Sequence, residues 1–220
     1  VDTALRVADA EGLEAVTIRR LAQDLGVTPM ALYWHFKDKE ALLAALADRT
    51  WAECSAELDL ALAARSGSSG GDWDQLLLTV ELLVTVMRRH PAVAGLVPMR
   101  VTASEAGLRI TEQTLGFLNE RGFDPQRSAE IARYVLCSAV MLVESEPGAE
   151  VARLHDRDEV MRQKHLALAA LPPERYPHVV ASAPYLTDCG NSDEYFSRAV
   201  SLVVDGIRAQ VPVAGRRRRP

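Results

Sequence analysis

Between Thr17 and Glu40 the chain gathers side chains suited to gripping a polyanion: the cations Arg19, Arg20, Lys37 and Lys39, the phenol of Tyr33 and the imidazole of His35. Such groups hydrogen-bond phosphate oxygens and fix a protein on a duplex without reading its sequence. Thr28 and Ala31 are small, so a helix carrying them can approach base edges closely, and their methyl groups can meet a thymine methyl. Pro29, Met30 and Trp34 belong to the same candidate surface, with inward packing as the alternative for Trp34. Phe36 reads as core, and Tyr33 as partly core with its hydroxyl free. Arg20 has an alternative partner in Asp24 at i, i+4. The chemistry suggested is recognition of DNA, with no covalent step.

Short helices must position these groups. Ile18, Leu21, Ala22 and Leu25 fall at i, i+3, i+4, i+7 and predict a helix over Thr17–Leu25 with one apolar face. Gly26 follows, where a helix ends and positive φ is needed. Thr28 can cap the next helix, Thr28–His35, and Pro29 sits at its first turn, where a missing N–H is harmless. Two short helices joined by such a turn form the DNA-reading helix-turn-helix. A helix over Asp2–Ala10, ended by Gly12, precedes them. Asp38 can cap a fourth helix running to about Leu62, long enough to join two domains; Lys39 in its first turn makes an anion site with the free N–H groups.

The run Leu32-Tyr-Trp-His-Phe36 with Lys37-x-Lys39, together with Thr17, Arg19, Leu21-Ala22, Leu25-Gly-Val27 and Ala41-Leu42-Leu43, resembles the tetracycline-repressor family of one-component regulators. A looser likeness continues through Asp72-Trp73, Leu115-x-Phe117-Leu118, Arg121-Gly122-Phe123 and a closing helix Tyr195–Val211. The resemblance implies an all-helical homodimeric repressor released from its operator by a small molecule. It carries Thr17, Arg19, Tyr33, His35 and Lys39 over as DNA contacts by position. Met30 and Pro29 depart from the tetracycline-binding members, so their operator is not implied. A basic arm such as members often carry ahead of the first helix is not part of these 220 residues, which open almost at that helix.

Composition fits a helical globular chain: 48% hydrophobic, 25% charged and only 5% aromatic. The net charge of −5 does not advertise a nucleic-acid binder. Residues 1–50 hold six Lys/Arg against eight Asp/Glu, so binding there must rest on placement rather than bulk charge. Further helices are expected over Trp73–His90, Thr102–Arg121, Pro125–Glu146, Asp156–Leu171 and Ser192–Val211. Val93–Met99 reads as short and broken, and Glu174–Ser182 as one turn at most. The predicted fold is all-α. A three-helix helix-turn-helix domain spans 1–47, an effector-binding and dimerisation domain 48–211, and a basic tail 212–220 containing Arg216–Arg219 is expected to be disordered. The apolar helices Pro125–Glu146 and Ser192–Val211 are candidates for a seam between two subunits, with intramolecular core as the alternative.

An effector pocket is expected between the fourth helix and those that follow, from Trp51, Ser55, Val84, Met87, Met99, Leu108, Thr111, Thr114, Leu118, Tyr134 and Met141. The resemblance places drug- and metal-holding positions near Ser55, Val80, Val84, Pro98 and Thr114. Most are apolar here and the metal-holding His is missing, which points to a small hydrophobic effector rather than a metal-bound drug. No cofactor and no metal is expected. His155, Glu159 and His165 fit a solvated helix better than an ion site. Cys54, Cys137 and Cys189 suit neither a disulfide framework nor a metal. Without a signal segment or a span longer than Val135–Val143, the expected location is the cytoplasm. No enzyme motif appears; a helical small-molecule-binding protein or enzyme with a secondary DNA role, or a helical module that never meets DNA, are the alternatives.

Overall fold

The computed structural model describes residues 1–65, 72–146, 157–187 and 191–212, and these are helical with no strand. The first three helices are α1 (Asp2–Glu11), α2 (Ile18–Leu25) and α3 (Pro29–Tyr33). A long α4 (Lys39–Arg65) follows, then α5 (Asp74–Arg89), a 3-10 segment Pro91–Leu96, and a short α6 (Val97–Arg100). The chain continues with α7 (Glu105–Glu120), α8 (Pro125–Glu144), α9 (Arg157–Ala169), α10 (Pro177–Leu186) and α11 (Ser192–Arg208).

Two apolar cores form. The smaller gathers Leu5, Ala8, Ile18, Leu21, Leu32, Leu42 and Leu46 from α1–α4. The larger joins α4, α5, α7, α8 and α11 through residues such as Trp51, Leu58, Val80, Leu118, Val135 and Val200. α4 contributes buried side chains to both, Leu42 and Leu46 to one and Trp51, Cys54 and Leu58 to the other, and the 3-10 segment adds Ala94 to the larger. Val93 of the 3-10 segment, fully buried, belongs to the smaller core, so a residue far along the chain plugs the first three helices. α9 and α10 pack against each other.

Several elements differ from the sequence reading. The segment 174–182 holds more than a turn: Pro177 opens the ten-residue α10, and Pro184 is tolerated near its C-terminal end. Pro98 does not break 93–99; it lies in the first turn of α6, which continues the 3-10 segment. α7 begins at Glu105 rather than Thr102 because the Ser104 hydroxyl caps it, accepting from the Gly107 N–H at 3.3 Å. Leu108 is half exposed; the inward face carries Ile110, Thr114, Phe117 and Leu118. Most apolar residues of α8 and α11, including Val140, serve the protomer's own core, leaving Tyr134, Met141 and Leu202 exposed. The expected loop over 66–71, the tail from 213, Cys189 and His155 lie outside the described residues.

Candidate DNA interface and effector cavity

Local hydrogen bonds fix the helix-turn-helix. The Thr17 hydroxyl caps α2 by accepting from the Arg20 N–H at 3.2 Å, and the Thr28 hydroxyl caps α3 by accepting from the Ala31 N–H at 3.3 Å. Gly26, at φ 67°, makes the left-handed turn that ends α2. Leu32 is buried, so the rest of α3 faces outward: Met30 is 68% exposed and the following Trp34 86%. Pro29, Ala31, Tyr33 and His35 are exposed with them. Leu25, expected on the inner face of α2, is 48% exposed because the turn carries it to the surface beside Val27. The result is an exposed apolar patch with polar groups at its rim, the kind of surface that marks an interaction site.

The cations around this patch are not equivalent. Arg19 is exposed and, among the described residues, forms no ion pair. Lys37 Nζ lies 3.7 Å from its neighbour Asp38, and Lys39 Nζ lies 3.5 Å from Glu14, whose side chain is almost wholly in solvent. Both pairs are loose enough for a phosphate to replace. Arg20 differs. Its Nε donates to both oxygens of Asp24 at 3.0 Å, and its terminal nitrogens donate to Glu11 at 2.9 and 2.7 Å. Those hydrogen bonds hold Arg20 firmly protonated and the Glu11 carboxyl below its ordinary range. Arg20, expected at the DNA surface, thus clamps α1 to α2, and a phosphate would compete with two carboxylates for it.

The acidic balance of the first fifty residues finds a structural account here. Asp2 accepts from Arg49 at 3.1 Å, Asp48 pairs with Arg100 at 2.8 Å, and Asp9 lies 2.8 Å from His90 Nδ1. The Asp38 carboxylate caps α4 by accepting from the Ala41 N–H at 2.7 Å. Asp2, Asp9 and Asp48 are thus engaged by groups further along the chain, Asp38 by a cap, and Glu11 and Asp24 by Arg20.

In the larger core an apolar cavity of about 370 Å³ opens between α4, α5, α6, α7 and α8. Trp51 of α4, Leu83 of α5, Pro98 and Val101, the α7 residues Ile110, Thr111, Thr114 and Leu115, and Ala129, Ala132, Arg133, Val135, Leu136 and Cys137 of α8 line it. Trp51 donates its indole N–H to the Val97 carbonyl at 2.9 Å, tying α4 to α6 at the wall. The hydroxyls of Thr111 and Thr114 donate to Gly107 and Ile110 carbonyls, each at 2.8 Å. Cys54 stands outside the cavity, where burial first, then Glu53 and Glu57, push its thiol up to about 12. Among the described residues no group of three or more His, Cys, Asp and Glu could hold a metal, and no helix is long and apolar enough to cross a membrane.

The sequence model described as "Bacterial regulatory proteins, tetR family" matches residues 1–46, and that described as "Tetracyclin repressor-like, C-terminal domain" matches residues 68–211. The chain belongs to the tetracycline-repressor family. It is 29% identical over 212 residues to the class C tetracycline repressor protein of Escherichia coli, covering 94% of this chain and 88% of that protein. It is 28% identical over 221 residues to the HTH-type transcriptional repressor DrrR1 of Streptomyces coeruleorubidus, covering 99% and 78%. Among solved structures, the family protein ActR of Streptomyces coelicolor in complex with actinorhodin superposes with a TM-score of 0.71 at 25% identity, over 96% of each chain. Family membership makes the chain a DNA-binding transcription regulator, and its relatives include repressors and ligand-bound regulators.

Within this family member, the residues read from sequence distribute unevenly. Thr17, Arg19, Thr28, Tyr33, Trp34, His35, Lys37 and Lys39 share the exposed helix-turn-helix surface. Of the effector candidates, the structure brings Trp51, Thr111 and Thr114 to the cavity. Val84, Met87 and Leu118 lie in the surrounding core, while Met99, Leu108, Tyr134 and Met141 face solvent. Ser55 is buried beside a separate polar cleft with Asp48, Asp59 and Arg109. The contribution of α8, Ala129 to Cys137, was missed. Its signal was present: Ala129, Ala132 and Leu136 fall at i, i+3, i+7, and the small residues leave room against α7.

Proposed function

We propose that the protein is a repressor that binds a roughly palindromic operator as a homodimer and lets go when a small apolar effector fills the cavity. The reading divides the chain into a DNA-binding domain over 1–47, an effector-binding and dimerisation domain over 48–211 and a basic tail, and it is that of a cytoplasmic regulator rather than an enzyme. The observation that carries it is a shared wall. Pro98 and Val101 line the cavity, Trp51 is bonded to the Val97 carbonyl, and Val93, one turn earlier, plugs the core beneath the helix-turn-helix. α4 supplies a second link, from Lys39 at the DNA surface to Trp51 at the cavity. Two elements thus touch both sites, as coupling between them requires. The exposed apolar side chains Tyr134, Met141 and Leu202 on α8 and α11 support the dimer seam. A ligand that favours the released state by about 1–3 kcal/mol changes operator affinity about 5–150-fold. A thermal-shift screen followed by an operator-release assay tests the reading. Ligands that raise the melting temperature yet leave operator affinity unchanged would remove the coupling.

A further inference from the structure

Resting on the effector reading above, we propose that the cavity selects an anionic apolar molecule, an aromatic acid whose carboxylate, sulfonate or phenolate seats on Arg133. The lining is almost entirely hydrocarbon, so its few polar groups decide what else a ligand must carry. Three of them already have their hydrogens committed: the Trp51 N–H to Val97, and the Thr111 and Thr114 hydroxyls to α7 carbonyls. The two hydroxyl oxygens retain lone pairs and can accept from a ligand. The Cys137 thiol is a weak donor. Arg133 is the one charged residue of the lining, and among the described residues it forms no hydrogen bond or ion pair.

Its surroundings leave the guanidinium available. Its contact is with the face of Tyr134, 5.9 Å from the ring centroid. The nearby carboxylate on the same helix, Glu130, is hydrogen-bonded by Gln126 at 3.1 Å and by Arg127 at 2.9 Å; these bonds first, then the charges of Arg127 and Arg133, keep its carboxyl below the ordinary range, so Arg133 acts on it by charge without a hydrogen bond. A planar, permanently charged fork at the edge of an apolar cavity matches a ligand with rings inside and an acid at one end. Hydroxyls on those rings would meet Thr111 and Thr114.

Two fluorescent probes of nearly equal ring size test this: 1-anilinonaphthalene-8-sulfonate, an anion, and N-phenyl-1-naphthylamine, its neutral counterpart. The full chain should bind both, the sulfonate more tightly, and Leu115→Trp, which fills the cavity, should abolish both signals. Arg133→Gln should weaken the sulfonate about tenfold and the neutral probe less than about twofold, with Arg133→Lys between. Equal loss of both probes in Arg133→Gln would make Arg133 a wall residue, and unchanged sulfonate binding would place its charge elsewhere; either overturns the anion assignment while leaving the cavity intact. Failure of both probes to respond to Leu115→Trp would instead remove the cavity as a ligand site and with it the effector reading.

Discussion

Arg19 and Arg20 are neighbours in sequence with opposite environments, one without an ion pair among the described residues and one clamped between Glu11 and Asp24. Arg19→Ala should lower operator affinity by about 1–3 kcal/mol while leaving the melting temperature unchanged, checked by anisotropy and thermal melts. Arg20→Ala should lower the melting temperature and leave the salt dependence of DNA binding intact; the reverse pattern would make Arg20 a DNA contact. Lys39→Ala should weaken all sequences alike and reduce the salt slope by about one. The clamp also has a pH signature. The folded Glu11 carboxyl titrates below its unfolded value, so its contribution is present above the ordinary range near pH about 4 and is lost as pH falls through the folded value. Arg20→Ala should therefore blunt the acid-side loss of stability in melts taken from neutral pH downward. The Arg20–Asp24 half of the clamp was legible as i, i+4 spacing. Glu11, nine positions away across the turn at Gly12, was not, because no local rule links a helix end to the next helix. Nor did the sequence settle Trp34, whose exposure depends on where α3 stops.

Among the elements, α1 to α4 were read closely because their boundaries are set by local groups: Gly12, Thr17, Gly26, Thr28, Pro29 and Asp38 each cap or turn the chain. α7 shows why the cavity was harder. A Cβ on Gly107 would lie 2.7 Å from the Val101 carbonyl and 3.3 Å from Trp51, so glycine lets the first turn of α7 press against the backbone just past α6 and against α4. That approach favours the α7 face with Ile110 and Thr114 over the one led by Leu108; Ile110, Thr114, Phe117 and Leu118 and Leu108, Thr111, Leu115 and Leu118 both follow helical spacing, so periodicity alone does not choose between them. Gly107→Ala should destabilise the fold by about 1–3 kcal/mol, since the atom it meets is backbone; a melting temperature equal to the parent's would contradict the close approach. At the proposed seam, Val140 is inside the protomer, so a charge there would unfold it. Leu202 is 74% exposed and gives the cleaner test: Leu202→Glu should yield monomers with unchanged helicity in sedimentation and circular dichroism. An intact dimer would move the seam away from α11.

For the molecule as a whole, composition argued against DNA and placement argued for it. The net charge of −5 persists in the folded protein, but Asp2, Asp9 and Asp48 are engaged along the junction between the cores, while Arg19, Lys37 and Lys39 stay on the helix-turn-helix surface. Which carboxylates face which cations is a property of the assembled cores, and a count along the chain cannot show it. The same assembly puts the Val93 plug and the Pro98 wall in one short segment, which the sequence presented only as a broken stretch. In the proposed dimer the two recognition helices would enter successive major grooves, with half-sites about 34–36 Å apart. The most direct measurement of the account is a fluorescence anisotropy titration of the full chain, at moderate salt, with a palindromic duplex from the neighbouring promoter and with the same duplex scrambled. Saturable binding of two protomers per palindrome, at least about a hundredfold tighter than to the scrambled duplex, is the predicted result; equal affinity for both duplexes would contradict it.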